Sequence, residues 1–205
     1  IRVGDPIVLA QSMIRLAGDR IASRAIDNRI GAFVVLEAIR ILSDDLPAAR
    51  VTAVAPAQEE IVQGGGGARA SAYQLEPDVA IVVDVTFSTD VPDVEKKELG
   101  EHRLGGGPVL SRGSAASNTV FEMLASVAEE EGIPYTIQAS PRSTRTDADG
   151  IHLTRGGVPT GLVSVPNRYM HSPNEVVSVD DLFSTAKLIA AFVLRLTSET
   201  DFTPR

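Results

Sequence analysis

Ile30, Val34, Ala38 and Ile41 recur at three- and four-residue spacing, which predicts an amphipathic helix beginning at Asp27. The same period returns near the C-terminus in Leu182, Ala186, Ile189, Val193 and Leu196. These follow Ser178-Val179-Asp180-Asp181, a stretch resembling a capping box. A further helix is predicted from Ser117, its N-cap, through Glu131, with Val120, Leu124 and Val127 on one face and Gly132 as its stop. Between these helices lie short continuous apolar runs at residues 51–55, 79–83, 109–110, 134–139 and 161–165, each of strand length. Short helices are expected near residues 68–74 and 147–154, and a long polar loop over 86–107. Strands alternating with helices predict an α/β fold: a mixed, largely parallel sheet with helices on both faces. The first 24 residues differ, holding β-prone runs at 7–9, 13–16 and 21–23 broken by Gly4-Asp5-Pro6 and Ala17-Gly18-Asp19. They read as the end of a small β domain, so residues 1–20 are expected to be its tail and residues 21–205 part of an α/β domain.

Composition narrows the function classes. A net charge of −8 without a basic cluster argues against a general nucleic-acid binder, which needs cationic surface to displace counterions from phosphates. No apolar run approaches the roughly 18–20 residues that span a bilayer, and the first residues lack the layout of a signal peptide. The expectation is a cytoplasmic protein with no membrane partner. The chain has no cysteine, so thiolate chemistry and disulfides are excluded and any transition-metal site must use His, Asp and Glu. It begins at Ile1, within a strand-like stretch, and reads as a piece of something longer.

In α/β sheets ligands gather beyond the carboxyl ends of strands, and acidic residues fall there. Gln58-Glu59-Glu60 follows the 51–55 run, Asp84 follows 79–83, His171 lies beyond 161–165, and Asp27 follows the short Ile21 run. Two adjacent glutamates can serve one site only if the chain turns there, which Gly64-Gly65-Gly66-Gly67 would permit. The residues alone leave alternatives open. Glu59 and Glu60 could be solvated loop charges, Asp27 a helix N-cap and Asp84 a satisfied strand-end carboxylate. Asp27, Glu60, Asp84 and His171 are also ligand types that suit zinc, cobalt or manganese.

Ala25-Ile26-Asp27-Asn28-Arg29, Gln58-Glu59-Glu60, Val83-Asp84-Val85-Thr86, Thr146-Asp147-Ala148 and Arg168-Tyr169-Met170-His171-Ser172-Pro173 resemble, in order and approximate spacing, the motifs of the M42 metallo-aminopeptidases, which include the deblocking and tetrahedral aminopeptidases. Leu104-Gly105-Gly106-Gly107-Pro108, Gly157-Val158-Pro159-Thr160 and Asn174-Glu175 extend the resemblance over nearly the whole chain. It implies two divalent ions, zinc or cobalt, with Asp27 bridging them, Glu60 and His171 completing the shell of one, and Asp84 binding the other. Glu59 is then the general base toward the attacking water. The implied substrate is a peptide with a free N-terminus, and the implied assembly a homo-oligomer.

Three departures from the family's wording stand out. The upstream His-x-Asp motif is missing, and the other histidines are His102, expected in an exposed loop, and His152, expected to pack or support the site from behind. The missing ligand is therefore expected in a preceding segment. The stretch after Glu60 differs from the family's usual pattern, and Arg145 stands where glycine is expected beside Thr146-Asp147. Arg142 and Arg145 could face an acidic substrate side chain but read more simply as solvated loop residues. Two other functions compete with the aminopeptidase: a non-catalytic or half-site oligomeric scaffold of the same family, and a glucan hydrolase using paired carboxylates. The second suffers from the adjacency of Glu59 and Glu60 and from the lack of tryptophan for sugar stacking.

Overall fold

The computed structural model describes residues 1–61, 66–92 and 94–203. In chain order its elements are β1 (Ile14–Arg15), β2 (Arg20–Ser23), α1 (Ile26–Leu42), α2 (Gly66–Leu75), β3 (Ala80–Phe87), α3 (Lys96–Leu99) and β4 (Val109–Gly113). There follow α4 (Asn118–Glu130), β5 (Thr136–Ser140), α5 (Ala148–Ile151), β6 (Thr160–Asn167), β7 (Glu175–Ser178) and α6 (Val179–Leu194). The period-based helices form as expected. Ser117 accepts from the Val120 amide at the start of α4, and Ile30, Val34, Ala38, Leu182, Ala186, Ile189 and Val193 are all buried.

The main sheet has the order β3-β6-β4-β5, with β3/β6 and β4/β5 parallel and β4/β6 antiparallel. Alternation along the strands sends side chains to both faces. Val83, Val85 and Val165 pack with α1 and α6, and Leu110 and Val163 with α4 and α6. Val82 and Leu162 point the other way, against Ala148 and Ile151 of α5. The mixed sheet with helices on both faces is therefore the architecture. A second, antiparallel sheet β1-β2-β7 pairs Ser23 with Glu175, which brings the entry to α1 beside the turn between β6 and β7.

Several expectations are corrected. Residues 51–55 form no strand, because a ladder needs a neighbour about 4.8 Å away. Here a cavity of about 1650 Å³, lined by residues 51–55 and by Ala80–Val83 of β3, separates that segment from the open sheet edge. Asp84 does not end its strand: it pairs with Ser164 in the middle of β3. The 86–107 stretch is not all loop, since β3 runs on to Phe87 and α3 interrupts the rest. The capping box is half formed. Ser178 accepts from the Asp181 amide, but the Asp181 carboxylate turns away to accept from Gly105 N (2.8 Å) and Gly107 N (2.7 Å).

Candidate metal centre

Three residues of the predicted constellation, Asp27, Glu60 and His171, sit on sharply bent backbone. Ala25, two residues before Asp27, has φ 52° and the left-handed conformation, and Asp27 itself is non-helical although it lies at the head of α1. Asn28 does the capping instead: its Oδ1 accepts from Gly31 N (2.9 Å), and its Nδ2 donates to Val83 O (2.8 Å) on β3. The Asp27 carboxylate is thereby free of helix duty. Glu60 lies in a single 3₁₀ turn, Glu59–Ile61, entered through Gln58 at φ 73°. This is the turn that two neighbouring glutamates require; of the glycines expected to allow it, Gly64 and Gly65 lie outside the described residues, while Gly67 N bonds Ala57 O (3.0 Å). His171 occupies the β6–β7 turn with φ 63°, next but one to Tyr169 at φ 60°. A non-glycine residue in this region costs about 1–2 kcal/mol, and such strain concentrates at functional sites.

These turns bring Asp27, Glu60 and His171 together. One ligand atom from each lies within 4.8 Å of the others. His171 Nε2 stands 3.1 Å from Asp27 Oδ2 and 3.6 Å from Glu60 Oε2. Glu60 and His171 are exposed while the Asp27 side chain is only 9% exposed, so the cluster has a buried base and an open mouth. Burial, then the charges of Glu60 and Glu175, push the Asp27 carboxyl up to about 7 against the opposing pull of His171. Two carboxylates and an imidazole crowded in this way fit a divalent cation, whose charge would relieve the repulsion.

Asp84 lies outside this three-residue cluster. It is buried, and its Oδ1 accepts from Val85 N (2.8 Å). Burial pushes its carboxyl up to about 8, the Val85 amide opposes this, and Asp27, Glu59 and Asp147 add to the rise. Glu59 is not in the cluster either. Its carboxyl is raised by burial first, then by Glu60 and Asp147. Gln58, Glu59, Glu60 and Asp147 all line the large cavity.

His102 is not an exposed loop residue. It is fully buried, its ring nitrogens 2.7 Å from Thr136 Oγ1 and 2.7 Å from Leu99 O, so it ties α3 to β5 and is not part of the three-residue cluster. His152 is half-buried and its Nδ1 lies 2.9 Å from Ala148 O within its own turn. Arg142 and Arg145 are both exposed, and Arg145 has φ 58°, the conformation that explains why glycine suits that position. Sequence reasoning assigned no role to Asn28, Asp147 or Glu175. Asp147 is buried with Oδ1 lacking a hydrogen-bond partner. Glu175 is 1% exposed and contacts the backbone of the Asp27 and His171 turns. The available signal was an acid placed directly before the apolar pair Val176-Val177, where a surface strand would not need one.

With this geometry established, comparison with known proteins is decisive about kinship. The sequence profile of the family described as M42 glutamyl aminopeptidase matches residues 1–188. The chain belongs to the M42 family. A lysyl aminopeptidase of Pyrococcus furiosus is 36% identical over 203 residues, covering 99% of this chain and 56% of the relative. Among solved structures, an aminopeptidase from the archaeon Desulfurococcus kamchatkensis is 40% identical with a TM-score of 0.82, over 90% of this M42 chain and 52% of that one. The TET1 peptidase of Pyrococcus horikoshii, described as assembling into a tetrahedron or a large octahedral shell, is 29% identical with a TM-score of 0.74, over 90% of this chain and 53% of that one. The M42 chain thus spans about half the length of the relatives it matches. Among the described residues no helix is long and apolar enough to cross a membrane.

Proposed function

We propose that this chain carries the metal-binding and proton-transferring part of an aminopeptidase that removes the first residue from peptides. The observation that carries the reading is the convergence of Asp27, Glu60 and His171 on one point, with Glu59 next along the same 3₁₀ turn but outside the cluster. In this reading Asp27, Glu60 and His171 would hold one divalent cation, zinc or cobalt by donor chemistry, and Asp84 together with Asp27 would hold a second. When bound, the cations supply Lewis-acid polarisation of a water and of the scissile carbonyl. Glu59 takes the proton from the attacking water and delivers it to the leaving amine. Burial first, then Glu60, shift its carboxyl upward, the direction that suits a group that must both accept and return a proton. A peptide with a free amino terminus is the substrate class, supported by the activities named for the relatives. Assembly as a homo-oligomer is supported by the shells described for the Pyrococcus horikoshii peptidase.

The test uses aminoacyl-anilide hydrolysis. Glu59→Gln is expected to lower kcat by about 10²–10⁴-fold while bound metal per chain stays unchanged. Chelation abolishes the activity and zinc or cobalt restores it. Hydrolysis that persists in the metal-stripped protein would sink the proposal, and one cation or none per chain with no turnover would favour the scaffold reading.

A further inference from the structure

Asp27 and His171 are far apart in sequence, and each sits on a turn that disfavours itself: left-handed Ala25 before Asp27, and left-handed Tyr169 and His171. One side chain touches both turns. Glu175, the first residue of β7, is 1% exposed. Its Oε2 accepts from Ile26 N (2.6 Å) and Asp27 N (3.2 Å), and its Oε1 accepts from His171 N (3.1 Å) and Asn167 Nδ2 (3.2 Å). Among the described residues no Lys or Arg forms an ion pair with it. A buried carboxylate without a counter-charge is costly unless amide donors satisfy it. Three of the four donors to Glu175 are backbone amides of the Asp27 and His171 turns, so the carboxylate is fully satisfied only while both turns keep their bent form.

Resting on the proposed metal site, we propose that Glu175 is its positioning residue: one carboxylate oxygen holds the Asp27 turn and the other the His171 turn, setting the ligand spacing before any cation arrives. A glutamine at this position keeps the shape but offers one acceptor oxygen, and its amide group would confront the donors of the other turn. Aspartate keeps the charge but is one methylene too short to reach both turns. Both variants should therefore weaken binding, although only one alters charge.

Cobalt(II) affinity is measured by competition with a chromophoric chelator, alongside the cobalt absorption spectrum and the melting temperature of the metal-free protein. Glu175→Gln and Glu175→Asp are each expected to bind cobalt about 10–100-fold more weakly and to shift the cobalt bands, by more than their metal-free melting temperatures account for. If Glu175→Asp binds like wild type, charge rather than positioning is responsible and the inference fails. It fails too if both variants lower melting but leave cobalt affinity and spectrum unchanged. Should the variants not fold, hydrogen exchange on the metal-free wild-type protein decides: the amides of Ile26 and His171 are expected to be protected before metal is added, and rapid exchange there overturns the proposal. Wild-type protein that binds no cobalt would instead overturn the metal-site reading itself.

Discussion

Asp27 and Asn28 are neighbours at the head of one helix, and their division of labour decides what Asp27 can do. Because Asn28 supplies the oxygen for the Gly31 amide, Asp27 keeps both carboxylate oxygens for the cluster with Glu60 and His171. Gly31 is part of the same device, since a β-carbon there would lie 2.4 Å from Asn28 Oδ1. Arg145 presents the opposite situation, a residue that its backbone does not suit. It has φ 58°, its side chain is exposed, and its amide donates to Asp149 Oδ2 (2.9 Å), a bond glycine would keep. Glycine there removes a left-handed penalty of about 1–2 kcal/mol and returns roughly 0.5–1 kcal/mol as extra freedom of the unfolded chain. Arg145→Gly is thus expected to stabilise the protein by about 0.5–1 kcal/mol. The check is a higher urea midpoint at an unchanged denaturant slope; an unchanged or lower midpoint would show that the Arg145 side chain contributes something its exposure conceals.

At the scale of elements, α6 does more than bury an apolar face. Its third residue, Asp181, reaches into the 105–107 loop and accepts two amides, those of Gly105 and Gly107, while burial pushes its carboxyl up to about 6 against those same hydrogen bonds. Gly107 has no alternative there: a β-carbon would fall 1.9 Å from Pro134 O. Asp181→Ala leaves two amides without acceptors and is expected to cost about 2–4 kcal/mol, read from thermal or urea unfolding, with Asp181→Asn losing less. The sequence disclosed α1, α4 and α6 because a helix declares its buried face through its own period. It did not disclose that residues 51–55 lack a ladder, because a strand depends on a neighbour that the segment's own residues do not name. It missed β7, whose apolar signal is only Val176-Val177. At the site, Asp27, Glu60 and His171 lie on three separate turns, so spacing left them ambiguous and only the family resemblance singled them out. His102 was misplaced because polar loop composition hides the bonds to Thr136 and Leu99 that bury it.

For the whole molecule, gathering buried acids around one site gives the metal-free protein an unusual response to pH. A carboxyl whose folded pKa lies above its unfolded one holds its proton in the folded chain alone. The stability it lends is complete below about pH 4 and is lost as pH climbs through the folded pKa. Asp27 at about 7 and Asp84 at about 8 therefore make the folded chain less stable from pH 6.5 to 8.5. The upward shifts of Glu59 and Asp147, both led by burial, act in the same direction. Opposing groups are silent in that window. Burial lowers His102, so its effect falls below about pH 6.5. In Asp90, burial works upward, but hydrogen bonds from Arg168 (2.8 and 2.7 Å) and Ser88 win and hold the carboxyl far below its usual range, which matters only in acid. The metal-free protein is expected to lose roughly 1–3 kcal/mol between pH 6.5 and 8.5, seen as a falling melting temperature. Saturating cation should invert the trend, because it binds the ionised carboxylates that the empty site resists forming. Stabilisation by zinc or cobalt should then be larger at pH 8.5 than at 6.5. A metal-free melting temperature that rises across this window would mean that Asp27 and Asp84 are already ionised in the folded chain, and that the crowding of the site is relieved by something other than a bound cation.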